Sequence, residues 1–382
     1  MNFELTEEQE LIRQTVRDFA EREIKPLAQE LDEKEQFSIA LTERMGELGL
    51  FGMYLPEKYG GQGLDTLSYI IAVEELARVD GSQAATLAAH NSLGIGPLYY
   101  YGSEEQKMKY LPPLCTGKAL WAFGLTEPDA GSDSRGSKTK AVLEEGHWRI
   151  NGSKIFITNG SEDISIGATV QAVTGVNKNG RKEFTTIIVE KDTKGFKRVQ
   201  MHGKLMWRAS DTSELYFDDC IVPEENLLGE VGQGSKIMLS TLDNGRLSIA
   251  AMGLGLAQGA YEMAMQYAQE RKQFGKPIAK FQIIAFKLAD MATQIELARN
   301  LLYKACWLKD NGKPFAKEAA MSKLYCSEIA KTVADEAVQI HGGYGLMKDY
   351  PIERFYRDQR LLQIGEGTSE IQRLVISRYI GC

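Results

Sequence analysis

The sequence predicts a multidomain protein of the α+β class, with a helical domain first, a β domain in the middle and a second helical domain last. Three observations support this prediction. Apolar residues in the first and last thirds recur at the three-to-four-residue spacing of helices. The middle third instead has short β-branched and aromatic runs separated by turn residues, and 382 residues exceed one typical domain. We place the domains at residues 1–115, 116–228 and 229–382.

The N-terminal domain should begin with a helix that is capped by Thr6. Thr6 and Gln9 stand at the positions of a capping box, in which two side chains satisfy backbone N–H groups at a helix start. The segment 67–79 is apolar on one face, and the segment 104–111 has helical character after Gly102. These segments predict a domain of several helices.

The middle domain should consist of short strands. Asn151 and Gly152 lie between two of the β-type runs, and both residues tolerate the positive φ of a type I′ turn. We therefore expect a β-hairpin whose turn is Asn151-Gly152. The β-type runs are residues 147–150, 154–158, 184–189 and 214–222.

The C-terminal domain should contain long helices that pack side by side. Asn311, Gly312 and Pro314 end a first long helix, and a second apolar stripe follows them, so the two helices should pack antiparallel. The stripe of the first helix consists of Leu288, Met291, Ile295, Ala298, Leu302 and Ala305.

Composition excludes several classes of protein. The formal net charge is −7 and no basic block occurs, which argues against a nucleic-acid partner. No apolar run approaches the roughly 18 residues of a membrane span, and the start lacks the apolar core of a signal peptide, so we expect a cytoplasmic protein. The five cysteines are scattered and the four histidines lie far apart, so we expect reduced thiols and no metal site.

Segments rich in glycine, hydroxyl groups and a carboxylate are the candidates for chemistry. The segment at residues 125–133 could be a phosphate or cofactor loop, or an ordinary turn, and it lacks the G-x-G-x-x-G and Walker patterns. The end of a helix at residues 271–275 could bind a phosphate, or Arg271 could simply complement the helix C-terminus. The three segments are residues 125–133, 156–160 and 364–370.

The third segment places a carboxylate on a loop before a helix. Ser369 followed by Gln372 predicts the helix start, which leaves Glu366 between Gly365 and Gly367. A carboxylate so placed could act as a base, and its backbone N–H could polarise a carbonyl oxygen. Alternatively, the loop is a helix-entry turn whose glutamate merely favours the helix dipole.

Taken together and in this order, the segments resemble the acyl-CoA dehydrogenase family over essentially the whole chain. The matching motifs are LTEPDAGSD, FITNG, ERKQFGKPI, QIHGGYG and IGEGTSEIQRL. The resemblance implies an FAD-dependent acyl-CoA dehydrogenase with a β-barrel-like middle domain and a C-terminal four-helix bundle. It also implies assembly as a homotetramer, or sometimes a dimer, and an electron-transferring flavoprotein as the electron acceptor.

The resemblance also implies roles for individual residues. Glu366 matches the family's catalytic base, whereas some members carry that glutamate at the position of Gly245. Cofactor-binding residues would be Phe123, Leu125, Thr126, Phe156 and Thr158 at the flavin ring, with Ser132 near the pyrophosphate or the thioester, and also Thr368. Arg271, Phe274, Gln339 and Gly343 would contact the adenosine diphosphate part of an FAD held mainly by a neighbouring subunit. Substrate-binding residues would be Ser132, Asp243, Arg246, Gly365 and Gly367.

One departure from the family pattern bears on the substrate. Relatives acting on straight chains often have Tyr before the catalytic glutamate, whereas this chain has Gly365. The missing ring opens space beside the α-carbon, which favours a short branched or cyclic acyl group such as 2-methylacyl or cyclohexanecarboxyl. The alternatives are a straight short-chain (butyryl-type) dehydrogenase, an acyl-CoA oxidase, a decarboxylating dehydrogenase, which would need a cation near residues 88–94, and a non-enzymatic scaffold without FAD.

Overall fold

The structure is a computed structural model, and it describes residues 4–176 and 178–382. Its first part is helical, and the predicted capping box forms: Thr6 Oγ1 accepts from the Gln9 N–H, and Gln9 Oε1 accepts from the Thr6 N–H. The helices of this part are α1 (Glu7–Phe19), α2 (Ala28–Lys34), α3 (Ile39–Glu47), α4 (Thr66–Ala77), α5 (Gly81–Ala89), α6 (Gly96–Tyr101) and α7 (Glu104–Leu114).

The middle part is one twisted sheet. Its strand order is β6-β7-β3-β2-β4-β5-β8, and β1 pairs in parallel with β4 beside β2. Within the described residues the outer strands β6 and β8 do not pair, so the sheet is not a closed barrel. The strands are β1 (Leu120–Gly124), β2 (Lys140–Glu144), β3 (His147–Thr158), β4 (Ser165–Val176), β5 (Lys182–Glu190), β6 (Phe196–Gln200), β7 (Thr212–Pro223) and β8 (Leu227–Leu228).

The expected hairpin at Asn151-Gly152 is wrong. Strand β3 runs straight through both residues, and the pairing with β7 shifts register between Ile150 and Gly152, which is a β-bulge. Asn151 bonds instead to Asp219 through its side-chain amide, at 2.9 and 3.1 Å. Of the two residues only Gly152 has a positive φ, at +144°, so the freedom of glycine serves a bulge, and the actual reversal lies between β2 and β3.

The last part is helical again, and with it the predicted fold class is confirmed. All six residues of the stripe predicted for the first long helix are buried on α9. The domain boundaries given above stay predictions. The elements are α8 (Gly234–Glu270), a short hairpin of β9 (Lys272–Gln273) and β10 (Lys276–Pro277), α9 (Gln282–Asp310), α10 (Ala316–His341), α11 (Ile352–Asp358) and α12 (Ser369–Ile380).

One hydrophobic core joins the two helical parts. Residues of α4 and α5 lie in the same buried cluster as residues of α8, α9 and α10. The sheet has a separate core that includes Trp148, Ile187 and Leu215. Helix α8 is thus buried between the N-terminal helices and α10, and this arrangement brings its Asp243–Arg246 turn under the loop that precedes α12.

The described residues include no helix that is both long enough and apolar enough to cross a membrane. Nor do they include a group of three or more His, Cys, Asp or Glu residues placed to hold a metal ion. The five cysteines are free, and four of them are buried while Cys382 is exposed.

Candidate active site

The loop that carries Glu366 has an unusual and well-anchored backbone. Glu366 has φ +52° and Gly367 has φ +95°, so two consecutive residues lie in the left-handed region. For a residue other than glycine this conformation costs roughly 1–3 kcal/mol and persists only where the surroundings fix it. Here Gln372 Nε2 donates to the carbonyl oxygens of Glu366 and Gly367 at 3.2 and 2.9 Å, and Lys323 Nζ donates to that of Gly367 at 2.8 Å.

The Glu366 carboxylate lies directly over the backbone of α8 at Gly245. A Cβ atom built on Gly245 would be 1.9 Å from Glu366 Oε2, so the carboxylate occupies the space that any side chain at 245 would need. Oε2 is buried and has no hydrogen-bond partner among the described residues, although the residue as a whole is half-buried. Burial raises the pKa of Glu366 to about 7, while the charges of Lys323 and Arg246 act in the opposite direction.

We expect Gly245→Ala to preserve the fold and to displace the carboxylate. The atom that the new methyl group meets is the end of a flexible side chain, so the backbone is spared. Alanine also favours the helix by about 1 kcal/mol over glycine. A shift of about 1 Å in a reacting group costs about 100-fold in rate, so turnover should fall by that factor while the melting temperature stays level or rises.

Steady-state rates and thermal unfolding of the Gly245→Ala variant check this expectation. Gln269→Ala, on the exposed C-terminal end of the same helix, controls for helix propensity alone. An unchanged rate in Gly245→Ala would contradict the placement of the carboxylate over residue 245.

The same turn of α8 carries further polar groups that lack partners. Arg246 is buried and its guanidinium bonds to the Asp243 carboxylate, but Arg246 Nε has no partner among the described residues. Asn244 Oδ1 is also buried without a partner. A buried polar atom left unpaired costs about 1–3 kcal/mol. The Asp243–Arg246 turn and Glu366 therefore form one polar cluster with unused hydrogen-bonding capacity, as a ligand site requires.

The two glycine- and hydroxyl-rich segments of the middle domain lie side by side. The Ile155 N–H donates to the Thr126 carbonyl oxygen at 3.0 Å, which joins the loop after β1 to the end of β3. Leu125 and Thr158 are half-buried, whereas Phe156 is exposed and has φ +60°. An exposed aromatic ring on a strained backbone beside polar loops is typical of a surface that a ligand covers.

A buried ion pair holds these two segments together. Lys154 Nζ contacts Glu127 Oε1 at 2.7 Å and the Leu125 carbonyl oxygen at 3.2 Å, and the lysine is fully buried. Glu127 also accepts from the N–H groups of Lys138 and Thr139 at 2.6 and 3.1 Å. Burial would raise the pKa of Glu127, but Lys154 outweighs this, and the pKa lies below its ordinary value. The buried Lys154–Glu127 pair thus holds the Leu125–Thr126 backbone in place.

The other residues predicted to bind the flavin side of FAD or the substrate have simpler surroundings. Phe123 is buried on β1, and Ser132 is exposed on the loop that follows it. Thr368 Oγ1 accepts from the Ile371 N–H at 3.3 Å and so caps α12, a role that the sequence pattern gave to Ser369. Gly365 is half-buried, and a Cβ there would meet Leu361 at an ordinary 3.5 Å.

The residues predicted to contact the adenosine diphosphate part of FAD lie elsewhere in the chain. Arg271 and Gly343 line one surface groove, in which the Arg271 guanidinium stacks 5.6 Å from the Tyr344 ring. Phe274 is 93% exposed at the tip of the β9–β10 hairpin, and Gln339 is exposed on α10. With a helical rise of about 1.5 Å per residue, Arg271 lies roughly 39 Å along α8 from Gly245, the residue under the Glu366 carboxylate. One chain therefore does not bring this group to the Glu366 cluster.

The segment before α6 holds no cation for a second carboxylate of a substrate. His90 is buried, its Nε2 lies 2.8 Å from the Leu114 carbonyl oxygen, and burial lowers the pKa of His90 to about 4. Asn91 bonds to the backbone of Gly52 and Leu50 at 2.7 and 2.9 Å. Both side chains are thus used in packing, and His90 is neutral at neutral pH.

Sequence reasoning missed the residues that anchor the Glu366 loop. Lys323 is fully buried on the same face of α10 as Ala319 and Cys326, four residues before and three after it. A lysine within an apolar stripe is a signal for a buried cation, because lysine is almost never fully buried without a partner. The sequence pattern gives Gln372 only a place in a helix start, yet Gln372 is fully buried and holds two loop carbonyls.

Three family models match the chain in sequence order. They are described as the acyl-CoA dehydrogenase N-terminal domain, which matches residues 6–118, the middle domain, which matches residues 122–220, and the C-terminal domain, which matches residues 232–381. Together they cover nearly the whole chain.

Full-length relatives agree with these matches. The short-chain specific acyl-CoA dehydrogenase of Clostridium acetobutylicum is 50% identical over 377 residues, which are 99% of each chain. The butyryl-CoA dehydrogenase structure from Megasphaera elsdenii has a TM-score of 0.96 and 46% identity, with both chains covered in full. A chain from a structure described as the electron transferring flavoprotein of Acidaminococcus fermentans has a TM-score of 0.96 and 47% identity, also over both full chains.

These relatives correct the expectation about the acyl group. A branched or cyclic acyl group was expected from Gly365, but two of the relatives just named are short-chain and butyryl-CoA dehydrogenases, and butyryl is a straight chain. The expectation was wrong because a missing ring beside the base shows that space exists and does not show what fills it. The Leu361 side chain already borders that space.

The resemblance seen in five spaced motifs is thus confirmed over the whole length of the chain. The cofactor that it implied is confirmed as well, because the family uses FAD. The chain belongs to the acyl-CoA dehydrogenase family of FAD-dependent oxidoreductases.

Proposed function

We propose that this enzyme removes hydrogen from Cα and Cβ of a short, straight acyl-CoA of the butyryl type, with Glu366 as the base that takes the α-proton. One observation carries the assignment of the base: the Glu366 carboxylate is held over Gly245 with Oε2 buried and without a partner. The names of the relatives support the acyl group.

Glu366 has the properties that a base for this reaction needs. An α-proton of a thioester is a weak acid, so the base must be desolvated and close to the carbon when it acts. A pKa of about 7 matches the carboxylate to neutral pH. Only the ionised carboxylate accepts a proton, so the rate should fall as the pH drops below 7.

The backbone at the same residue supplies a donor for the developing charge. The N–H of Glu366 makes no backbone hydrogen bond within the described chain. Removing the α-proton places negative charge on the thioester carbonyl oxygen, and a fixed N–H stabilises such a charge without reorganisation. The left-handed turn at Glu366 thus positions base and donor from one residue.

The middle domain fits the flavin part of the cofactor. When bound, FAD supplies the acceptor for the hydride from the β-carbon. Phe156 offers an exposed ring, and the neighbouring loop is locked by the Lys154–Glu127 pair. The residues that would hold the flavin side are Phe123, Leu125, Thr126, Phe156 and Thr158, with Ser132 toward the pyrophosphate or the thioester and Thr368 beside Glu366.

A second subunit would complete the cofactor site. The roughly 39 Å of α8 between Gly245, which lies under the Glu366 carboxylate, and Arg271 supports binding of the distal part of FAD by Arg271, Phe274, Gln339 and Gly343 of a neighbouring copy. Phe274 at 93% exposure and Leu346 at 74% exposure are large apolar side chains that an interface would cover. We propose a homotetramer, in agreement with the family resemblance.

An electron-transferring flavoprotein is the proposed electron acceptor. The structure from Acidaminococcus fermentans supports this, since it is described as such a flavoprotein and contains a chain of this fold. Hydrogen peroxide yield distinguishes this assignment from an oxidase. Under air the enzyme should release little peroxide, and near-stoichiometric peroxide would favour the oxidase.

A panel of thioesters tests the acyl group. We expect the highest kcat/KM with butyryl-CoA, and a value about tenfold or more lower with isobutyryl-, 2-methylbutyryl- or cyclohexanecarboxyl-CoA, since one misplaced methyl group costs about 1–3 kcal/mol in a closed pocket. The measurement is steady-state turnover with a dye as electron acceptor. A higher kcat/KM for any branched or cyclic thioester would overturn the butyryl assignment.

A further inference from the structure

The buried side of the Glu366 loop contains a cation that the reaction as described so far does not use. Lys323, on α10, is fully buried, and its ammonium group donates one hydrogen bond, to the Gly367 carbonyl oxygen at 2.8 Å. An ammonium has three donors. Within the described residues no carboxylate lies within 4.0 Å of Lys323 Nζ, so the charge is not neutralised by a direct ion pair.

The hydrogen bond from Lys323 holds the Gly367 peptide, and that peptide determines where the Glu366 carboxylate points. The carbonyl of Gly367 follows the two left-handed residues, so holding it holds the turn on which the Glu366 carboxylate stands. Gln372 is the second anchor of the same turn, through its bonds to the carbonyls of Glu366 and Gly367. With Gln372 in place, loss of Lys323 loosens the turn without deleting every contact that holds it.

The charged groups that act on Glu366 come from two helices, α10 and α8. Lys323 on α10 and Arg246 on α8 favour the ionised carboxylate. Arg246 is already bonded to Asp243 of its own helix, which offsets much of its charge. Tyr69 of α4 is buried and neutral, because burial raises the pKa of Tyr69.

Two acidic groups also face Lys323. Glu328, on α10, bonds to the Ser369 hydroxyl at 2.6 Å, and Glu370 is exposed at the start of α12. Burial lowers the pKa of Lys323 to about 8, and Glu366 is the first of the charges that oppose this. Lysine and carboxylate thus stabilise each other's charge across the Gly367 peptide.

We propose that Lys323 is a positioning residue for the base: its buried ammonium fixes the Gly367 carbonyl, and thereby the turn at Glu366, and its charge favours the ionised carboxylate that accepts the α-proton. The inference rests on the proposed role of Glu366. It assigns Lys323 no contact with substrate or cofactor.

The test compares variants that separate charge, hydrogen bond and position. Lys323→Met removes charge and bond at similar volume, and Lys323→Gln removes the charge but keeps a polar group, so it serves if the methionine variant does not fold. Lys317→Met, on the half-exposed start of the same helix and paired with Glu318, controls for the loss of one positive charge. Glu366→Gln identifies the signals that belong to the base.

Two readouts are needed, and one of them does not depend on turnover. The first is infrared titration of the protonated-carboxyl band that Glu366→Gln abolishes. The second is the pH profile of single-turnover bleaching of the flavin absorbance by butyryl-CoA. We expect both midpoints to rise by about one pH unit in Lys323→Met and Lys323→Gln, since one pKa unit is about 1.4 kcal/mol of lost charge stabilisation. At pH 6 the rate of flavin bleaching in both Lys323 variants should be about tenfold lower than in the wild type.

The outcomes are distinct. An infrared midpoint equal to that of the wild type in both Lys323 variants overturns the role of Lys323, whatever the rates are. An equal shift in Lys317→Met overturns it too, because the effect would then not be local. Flavin bleaching that persists in Glu366→Gln instead overturns the proposed base, and the infrared comparison still decides whether Lys323 controls the ionisation of Glu366.

Discussion

Glu366→Gln should reduce turnover with butyryl-CoA by about 10⁴-fold, the upper range for loss of a general base. The amide has nearly the size of the carboxyl group, so it fits over Gly245 and leaves the turn and its two anchors in place. The purified variant should therefore remain yellow and should still bind thioester. The measurement is steady-state turnover together with the flavin spectrum and a binding titration with butyryl-CoA.

Glu370→Gln is the matched control for this variant. Glu370 stands four residues further along on the exposed first turn of α12, so it carries the same chemical change away from Gly245. We expect its rate to stay within about twofold of the wild type, since exposed charges contribute little. If Glu366→Gln and Glu370→Gln had equal rates, another residue would be the base.

Lys154→Met should lower the free energy of unfolding by about 3–5 kcal/mol, because removing one partner of a buried pair leaves the other charge unpaired. The charge left behind is that of Glu127, which is 5% exposed. Two backbone N–H groups would still bond to Glu127, but the Leu125 carbonyl would lose its contact with Lys154. Because the Leu125–Thr126 loop lies on the proposed flavin side, FAD should also be lost more readily.

Denaturant unfolding and the ratio of flavin to protein after gel filtration measure the two effects. Lys138→Met removes a lysine from the segment between β1 and β2, which contains Leu125 and Thr126. The side chains of Lys138 and its partner Asp129 are 71% and 70% exposed. This control should change stability by less than about 1 kcal/mol. Equal losses in the two variants would show that burial of the Lys154–Glu127 pair does not matter.

The fold was predictable where one face of an element is buried. The α9 stripe could be read directly, because a helix that packs on one side must place apolar residues every three or four positions. The hairpin at Asn151-Gly152 could not, because the same φ tolerance serves a turn and a bulge. Only pairing with β7, which is distant in sequence, decides between them.

The candidate site was predictable only where its signals are local in the sequence. The loop position of Glu366 follows from local signals, namely flanking glycines and a helix start. Lys323 is a nonlocal anchor, since it meets the loop through the packing of α10, whereas Gln372 is close in sequence but reaches the loop only because of how α12 folds against it. The shape of the acyl pocket depends on several helices at once, so one glycine at position 365 could not predict the acyl group.

In the proposed reaction, Glu366 takes the α-proton of a short straight acyl-CoA. The most direct test is anaerobic single-turnover bleaching of the flavin absorbance, with butyryl-CoA and with butyryl-CoA deuterated only at the α-carbon. If Glu366 is the base, we expect rapid bleaching in the wild type, a severalfold slower reaction with the deuterated thioester, and essentially no bleaching in Glu366→Gln. Bleaching of Glu366→Gln at the wild-type rate, with the same isotope effect, would show that another group removes the α-proton.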